Sequence, residues 1–507
     1  MSLRRLTGNA LASSSSTIVN AVFMFALYRL LTKELGIEQI GVWSLVVACA
    51  SLARLGEFGI ATSVSKFVAQ DIGAGNARSA VTTITMSFVF VAAIVAICGL
   101  LVWPVCTYLL SKAIQSPQLL DTALSLLPWM ITAAWLGALV NLCCATLDGY
   151  QRTTIRAIAT ITAGVFQLVI AYQLVPKLGI YAMGYLQTSH LILQLSMLIF
   201  GIYFVTRHSD KEWLSWSGTR MKAMLKYGSV MQVTAIGQLS FEPAVRWFLG
   251  VYGGLTITGY YELASKAIMQ FRLGITSAFQ MVVPFYATQI GKLGEQGADI
   301  QRAYRRTSRL LILISVPYFL LLACMLPYLF TLWTGSFSKT LIAVGYVCLI
   351  GWFINLLAVP AFMLYLAIGQ LRSIAYTQLC IGILNLLFSV ILGPAIGGMG
   401  VVIAAMSALS IGSLVVVYRF HVEYSVSVSA LMPPSLSAFA TIGLVACPAT
   451  AIIAFNWRGQ SAFPAELFLA AIIIGILLAW FSWRDPLRSE IWHSVKMREN
   501  SSRFQAS

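Results

Sequence analysis

Eight ionisable residues lie inside stretches of this sequence that are otherwise apolar, and their spacing limits what they can do. Arg54 and Glu57 stand three apart in "ARLGEFG", residues 53–59. Glu242 and Arg246 are four apart, as are Glu262 and Lys266. At these spacings both partners share one helical face, so each pair can neutralise itself and pin helix packing. The tally does not balance, however. Arg54, Arg246, Lys266 and Arg272 face only Glu57, Glu242 and Glu262, and Arg29 adds another cation. Arg272 sits in "FRLGITS", with no carboxylate at helical spacing. A surplus of cations in a cavity of low dielectric favours an anion, and Arg is suited to gripping phosphate through paired hydrogen bonds. The predicted substrate-binding set is therefore Arg54, Arg272, Lys266, Arg29 and Arg246. Glu57, Glu262 and Glu242 are the predicted charge-pairing or coupling residues.

The elements that must position these residues are membrane spans. The chain has 507 residues, of which 59% are hydrophobic and 10% charged, and its mean hydropathy is +0.83. Soluble domains carry about 25% charged residues. Apolar segments of about 20 residues follow one another with short gaps, which defines a polytopic all-α membrane protein. Fourteen transmembrane helices are predicted: 13–33, 40–65, 81–103, 122–147, 157–176, 179–205, 226–249, 256–286, 309–332, 340–366, 374–393, 398–418, 435–456 and 463–483. The first carries no cleavage site and does not read as a signal peptide. Arg54 then lies deep in span two, where a charge costs at least about 2.5–3.5 kcal/mol. Arg272 holds the equivalent place in span eight, and two such charges point to a shared aqueous cavity.

Basic residues predict the orientation. Of 33 Lys and Arg, those on the outer side are Lys33, Lys112, Lys177, Lys339 and Arg458. About 23 fall on the other side, including the segment between spans six and seven and the tail, so the positive-inside rule makes both termini cytoplasmic. The net charge of +16 thus reports topology and contact with membrane lipids rather than nucleic acid.

The chain also repeats itself. A shift of 218 residues brings Leu31, Gly36, Gly41, Leu45, Arg54, Leu55 and Gly56 onto identical residues at Leu249, Gly254, Gly259, Leu263, Arg272, Leu273 and Gly274. The same shift places Gly164, Pro176 and Gly179 on Gly382, Pro394 and Gly397. Two six-helix lobes related by an internal repeat, plus two C-terminal helices, are therefore expected. The predicted boundaries are an N-terminal lobe at 1–205, a cytoplasmic linker at 206–225, a second lobe at 226–418, two extra spans at 435–483 and a tail at 484–507. An even number of spans per lobe makes this a parallel repeat, whose substrate site is expected between the halves.

Other chemistry finds no support. No GxxxxGK[ST] loop, Ser/His/Asp arrangement, CxxC or metal-ligand spacing occurs, so no catalytic residue, cofactor or metal is assigned. The cysteines sit mostly inside apolar runs and read as packing residues. His190 reads as a packed polar residue or a proton relay. The aromatics Tyr28, Trp43, Trp247, Tyr252, Tyr260 and Tyr261 read as an interfacial belt or as stacking platforms for sugars.

The stretch "LTKELGIEQIGVWSLVVACASLARLGEFGIATSVSKFVAQDIGAGN", residues 31–76, resembles the opening of Wzx-type polysaccharide-transport proteins. These are lipid-linked oligosaccharide flippases of the multidrug/oligosaccharidyl-lipid/polysaccharide exporter superfamily. The resemblance rests on Leu35-Gly36, Gly41, Trp43, Leu55-Gly56, Gly59 and Phe67-Val68, with "LDGYQR" and "AIGQLR" as short inner loops. It implies two lobes around a cationic cavity and transfer of undecaprenyl-diphosphate-linked sugars from the cytoplasmic to the periplasmic leaflet. It also implies a bacterial inner-membrane location, a role in exopolysaccharide or lipopolysaccharide biosynthesis, and polysaccharide polymerase or export machinery as partners. Related lipid II flippases carry cavity arginines on spans one, two and eight, the spans of Arg29, Arg54 and Arg272. By the same resemblance, residues 435–483 form a groove for the lipid tail. Glu57, beside Arg54, departs from a purely cationic pocket. A multidrug/cation antiporter of the same superfamily stays open as an alternative, though it would prefer carboxylates in span one. A membrane-embedded polysaccharide polymerase would need catalytic loops that are absent, so the chain is expected not to be an enzyme.

Overall fold

A computed structural model describes residues 3–207, 216–279, 297–427 and 436–457, with Leu431 and short pieces between 469 and 480. The described residues are helical almost throughout and contain no strand. This is the expected outcome for backbone in lipid, where every N–H and C=O must be satisfied within its own segment. Fourteen α-helices are described. In the first copy of the repeat they are α1 Leu3–Glu34, α2 Ile37–Ala50, α3 Ile60–Gly73, α4 Ala77–Ala113, α5 Pro117–Gly149, α6 Thr153–Leu178 and α7 Ala182–Thr206. The second copy and beyond comprise α8 Gly218–Phe279, α9 Gly297–Thr334, α10 Lys339–Leu357, α11 Val359–Ile368, α12 Leu371–Ile396, α13 Gly398–Glu423 and α14 Leu436–Trp457.

Eight segments among the described residues are long and apolar enough to cross a membrane. One of them, Thr153–Thr206, holds both α6 and α7. The helix α8 is broken at Gly254 (φ 77°, ψ 178°), so residues 218–253 and 255–279 run as two arms. Only glycine takes that backbone conformation without strain. Its repeat partner Gly36 (φ 79°, ψ 170°) makes the same break between α1 and α2. Most of the predicted final span, 463–483, lies outside the described residues.

The chain divides into two compact units. Unit one comprises Met1–Ala278 and Gln370–Gly412, and so contains the first copy together with α8, α12 and the first part of α13. Its core includes Ile60, Val64 and Val68 of α3, Met86 and Val95 of α4, Leu139 and Leu142 of α5, and Met221 and Met224 of α8. Unit two comprises Phe279–Gly369 and Ser413–Ser507. There Leu313 and Cys324 of α9 pack with Phe439 of α14, Ile474 and Leu478.

Within unit one the repeat is visible as reciprocal packing. A Cβ added at Gly41 would run into the backbone of Leu255, and one at Gly259 into the backbone of Ile37. Gly41 and Gly259 are repeat partners, as are Ile37 and Leu255. Two backbones therefore cross at matched glycines, a close approach that only residues without a side chain permit. Gly164 of α6 meets Phe23 of α1, while Asn385 of α12 donates to the carbonyl of Phe241 on α8 at 3.3 Å. Phe23 and Phe241 are again repeat partners.

Candidate functional site

The expected continuous helix over 40–65 is interrupted where the charges sit. The α2 helix ends at Ala50, Ser51–Glu57 winds as a 3-10 helix, and the chain turns through Phe58 (φ 48°) and Gly59 (φ 64°) before α3 restarts at Ile60. Gly59 supplies the left-handed turn and lets the backbone of Gly228 approach closely. The side-chain amide of Gln232 donates to the Leu55 carbonyl at 2.7 Å, serving a carbonyl in the interrupted stretch. The break also changes how the ion pair forms. In a 3-10 helix side chains at i and i+3 eclipse, and Arg54 Nε lies 2.5 Å from Glu57 Oε1. Asn141 Nδ2 of α5 donates to the other oxygen of Glu57 at 3.1 Å. The Arg54 side chain nevertheless stays 41% exposed. Its repeat partner Arg272 lies on unbroken helix, because the second copy replaces Phe58 and Gly59 with Thr276 and Ser277. The neighbouring Phe271 ring meets that of Phe25 on α1 at 5.7 Å between centroids.

The second cluster centres on Glu262, in the α8 arm after Gly254. This carboxylate accepts from Arg246 Nε at 2.9 Å, Tyr28 OH at 2.9 Å and Ser44 Oγ at 2.8 Å. Lys266 Nζ stands 3.8 Å away, and Arg246 also reaches Glu242 at 3.3 Å. Side-chain exposure is 5% for Glu262 and 9% for Arg246, against 33% for Lys266. A carboxylate this deep is tolerable only because ionic and hydroxyl donors surround it. The i,i+4 pairs read from the sequence are both present. Sequence spacing does not reveal that Arg246 bridges the two of them, because the Gly254 break folds one arm of α8 back on the other. It also does not mark Ser44. Tyr28, Trp43 and Tyr261 are buried, and Trp247 Nε1 donates to the Leu109 carbonyl at 3.0 Å, so these aromatics take part in helix packing. Arg29 is exposed, one residue from Tyr28.

A third cluster has no counterpart in the sequence reading. Where α3 ends and α4 and α8 begin, Asp71 is ion-paired with Arg220 and accepts from Ser79 Oγ at 3.1 Å. Arg220 Nε reaches Thr83 Oγ1 at 3.3 Å, and its guanidinium lies 4.7 Å from the Phe67 ring centroid. Lys66 Nζ sits 3.9 Å from the centroid of Tyr227. Burial, with the Asp71 charge nearby, pushes the phenol of Tyr150 above its ordinary value in the loop between α5 and α6. Asp71 and Arg220 are 149 residues apart, so no local pattern announces the pair. Together these contacts tie α1–α3 to α8 at both ends of unit one. Glu262 serves the end near Gly36 and Gly254, and Arg220 serves the end where α8 begins.

A bundle of broken, apolar helices with buried ion pairs at a repeat interface is the architecture of a multi-pass membrane transporter. The comparisons with known proteins give the same class. A family model described as MatE matches residues 14–173. No curated protein matches the chain by sequence. Among solved structures, an inward-facing multidrug resistance MATE family transporter of the MOP superfamily superposes with a TM-score of 0.66 at 16% identity, covering 82% of this chain and 98% of that one. The lipid II flippase MurJ in an inward closed conformation gives 0.66 at 15%, covering 94% and 97%. A MOP superfamily transporter from Pyrococcus furiosus, described as having a binding pocket of reverse polarity, gives 0.53 at 16%, covering 81% and 96%. The chain has the MATE/MurJ-like transporter fold.

Proposed function

We propose that this chain is a flippase that moves undecaprenyl-diphosphate-linked oligosaccharide from the cytoplasmic to the periplasmic leaflet of a bacterial inner membrane. The observation that carries this reading is the charge balance within unit one. Arg29, Arg54, Arg246, Lys266 and Arg272 outnumber Glu57, Glu242 and Glu262. Arg246 is consumed as the counter-ion of Glu262, whereas Arg54 and Lys266 keep substantial exposure beside their carboxylates. In this reading Arg54, Arg272 and Lys266 grip the diphosphate, with Arg29 on the exit path. The sugars occupy an aqueous cavity between the lobes at 1–205 and 226–418 while the polyprenyl tail stays in lipid. Residues 435–483 guide that tail. Both termini face the cytoplasm.

Alternating access then requires the two ends of unit one to release in turn. Loss of the Asp71–Arg220 contact frees α8 from α3 on the cytoplasmic side, and loss of the Glu262 contacts frees it from α1 and α2 on the outer side. Outward movement of an anion gains about 2.3 kcal/mol per charge per 100 mV of inside-negative potential, which biases transfer without a coupled ion.

The test is leaflet-resolved analysis of lipid-linked sugars in cells lacking the gene. Inner-leaflet accumulation is expected, and it should persist when Arg54→Ala or Arg272→Ala is supplied at normal protein levels. Normal export by both variants would remove the assigned role. A second reading, a multidrug/cation antiporter, is favoured by the MatE match and by Glu242, whose side chain is 43% exposed. Unchanged glycan with altered drug tolerance in the deletion strain would select it.

A further inference from the structure

In unit two the helix α9 opens with four arginines in eight residues, Arg302, Arg305, Arg306 and Arg309. Arg302 and Arg306 are exposed, whereas Arg305 and Arg309 are half-buried. The half-buried two stand four apart, so they share one face of the helix, where like charges repel. The Nε of each is covered by protein and meets no acceptor among the described residues, while the Nη groups are not covered in this way. Neither side chain forms an ion pair among the described residues. Buried Arg246 of unit one, by contrast, is matched by Glu262. Among the described side chains of unit two the only carboxylate is that of Glu423, which accepts from Tyr365 OH at 2.9 Å. The transport reading makes no use of these arginines.

We propose that Arg305 and Arg309 bind the phosphate of an anionic phospholipid in the cytoplasmic leaflet.

Level, pattern and rigidity all support a lipid headgroup. The predicted ninth span begins at Arg309, so in the predicted topology both guanidinium groups stand at the polar boundary of the inner leaflet. Anionic lipids collect there, and basic sites beside membrane helices take their headgroups. Toward the bilayer centre the same face continues as Ile312 and Val316, apolar and half-buried, which suits an acyl chain below a headgroup. The adjoining face of α9 is fixed to the end of α13. Tyr304 OH and His421 Nε2 lie 3.0 Å apart, the Tyr304 ring meets that of Phe420 at 4.3 Å, and Gln301 donates to the Tyr424 carbonyl. With the helix held and each Nε covered, the guanidinium groups lose little further entropy when an oxyanion arrives. Two adjacent guanidinium groups match the unesterified oxygens of one phosphodiester, which would also relieve their mutual repulsion. A cation is repelled by this surface. A phosphocholine lipid brings its own ammonium group beside the arginines and so gains less than an anionic one.

The test uses the full-length protein in nanodiscs of phosphatidylcholine, with and without phosphatidylglycerol. Native mass spectrometry counts the phosphatidylglycerol retained after release, and thermal unfolding is followed in both bilayers. The wild type is compared with Arg305→Gln, Arg309→Gln and the double variant. Arg152→Gln, an exposed arginine in the turn before α6, serves as control for the loss of one positive charge. The wild type and Arg152→Gln are expected to retain one phosphatidylglycerol and to gain Tm in its presence. Each single variant should weaken apparent affinity about tenfold, and the double variant should show neither effect. In phosphatidylcholine alone the double variant should unfold at the wild-type temperature or above it, because it removes a like-charge pair and no internal partner. A structural role would give the opposite sign, so a double variant less stable there overturns the proposal. Equal retention by the wild type and the double variant overturns it too. An equal gain in Tm from inorganic phosphate in place of the lipid overturns the assignment to a lipid. Because no readout involves transport, failure here is distinguishable from failure of the flippase reading.

Discussion

Ser44 and Glu262 are 218 residues apart and joined by a hydrogen bond of 2.8 Å. That separation is also the shift of the internal repeat, so each residue touches its own counterpart. Equivalent positions can meet in this way only beside the axis that relates the two copies. Tyr28 and Arg246, both bonded to Glu262, are likewise repeat partners. The cluster is thus two positions, each supplied twice. The first copy supplies neutral residues and the second supplies charged ones. Nearby, the glycine crossings at Gly41 and Gly259 let the backbones come close enough for this contact.

Glu262 is expected to dominate the stability of unit one. Replacing it with Ala leaves Arg246 buried without its main counter-charge, which costs about 3–5 kcal/mol. Tyr28→Phe removes one hydrogen bond and costs about 1 kcal/mol. Thermal unfolding in detergent checks both. The double variant Glu262→Ala with Arg246→Ala should lose less than the sum of its single variants. Strict additivity would mean that the two side chains do not interact.

The glycine crossings predict a position-dependent cost. Gly41→Ala and Gly259→Ala each force apart two backbones and should destabilise by about 1–3 kcal/mol. Gly137→Ala places the same methyl group in open space on α5 and should be neutral or slightly stabilising. Tm values that do not separate the two classes would contradict the packing described here.

Charge exchange tests the clasp between α3 and α8. Asp71→Arg sets two guanidinium groups against each other and should lower both stability and transport. Combining it with Arg220→Asp restores opposite charges and should recover part of each. A double variant no better than Asp71→Arg alone would show that this ion pair does not hold α3 to α8.

The pair at the helix break separates binding from architecture. Glu57→Gln keeps a hydrogen-bonding side chain beside Asn141 and relieves Arg54 of its counter-charge. With the Arg54 side chain 41% exposed, solvent screens the pair, which contributes about 1 kcal/mol to stability, so little change in Tm is expected. Transport of an anionic lipid should be kept or improved in Glu57→Gln and lost in Arg54→Ala. Equal losses in vesicle-based flipping assays would instead give Glu57 a role of its own.

Much of this molecule is legible along the chain because hydrocarbon imposes local rules. Apolar runs of span length must be helices, and Gly36 and Gly254 mark matched breaks. The i,i+4 pairs in α8 are set by helical geometry alone, so Glu242–Arg246 and Glu262–Lys266 could be read directly. The interruption after Ala50 was harder to read. "ARLGEFG" satisfies a helical pattern, and the need for a turn at Gly59 comes from the backbone of Gly228, far away in sequence.

The sequence by itself determined the helical class, the duplication and the surplus of cations within apolar stretches. Each follows from composition, periodicity or self-similarity, which need no knowledge of what touches what. Only the tertiary structure decided how the surplus is distributed. It spends Arg246 on Glu262, leaves Arg54 partly exposed beside Glu57, and binds Asp71 to Arg220 across 149 residues. Such pairings depend on which helix faces cross the repeat axis, and interactions between distant segments leave no periodic trace in a single chain.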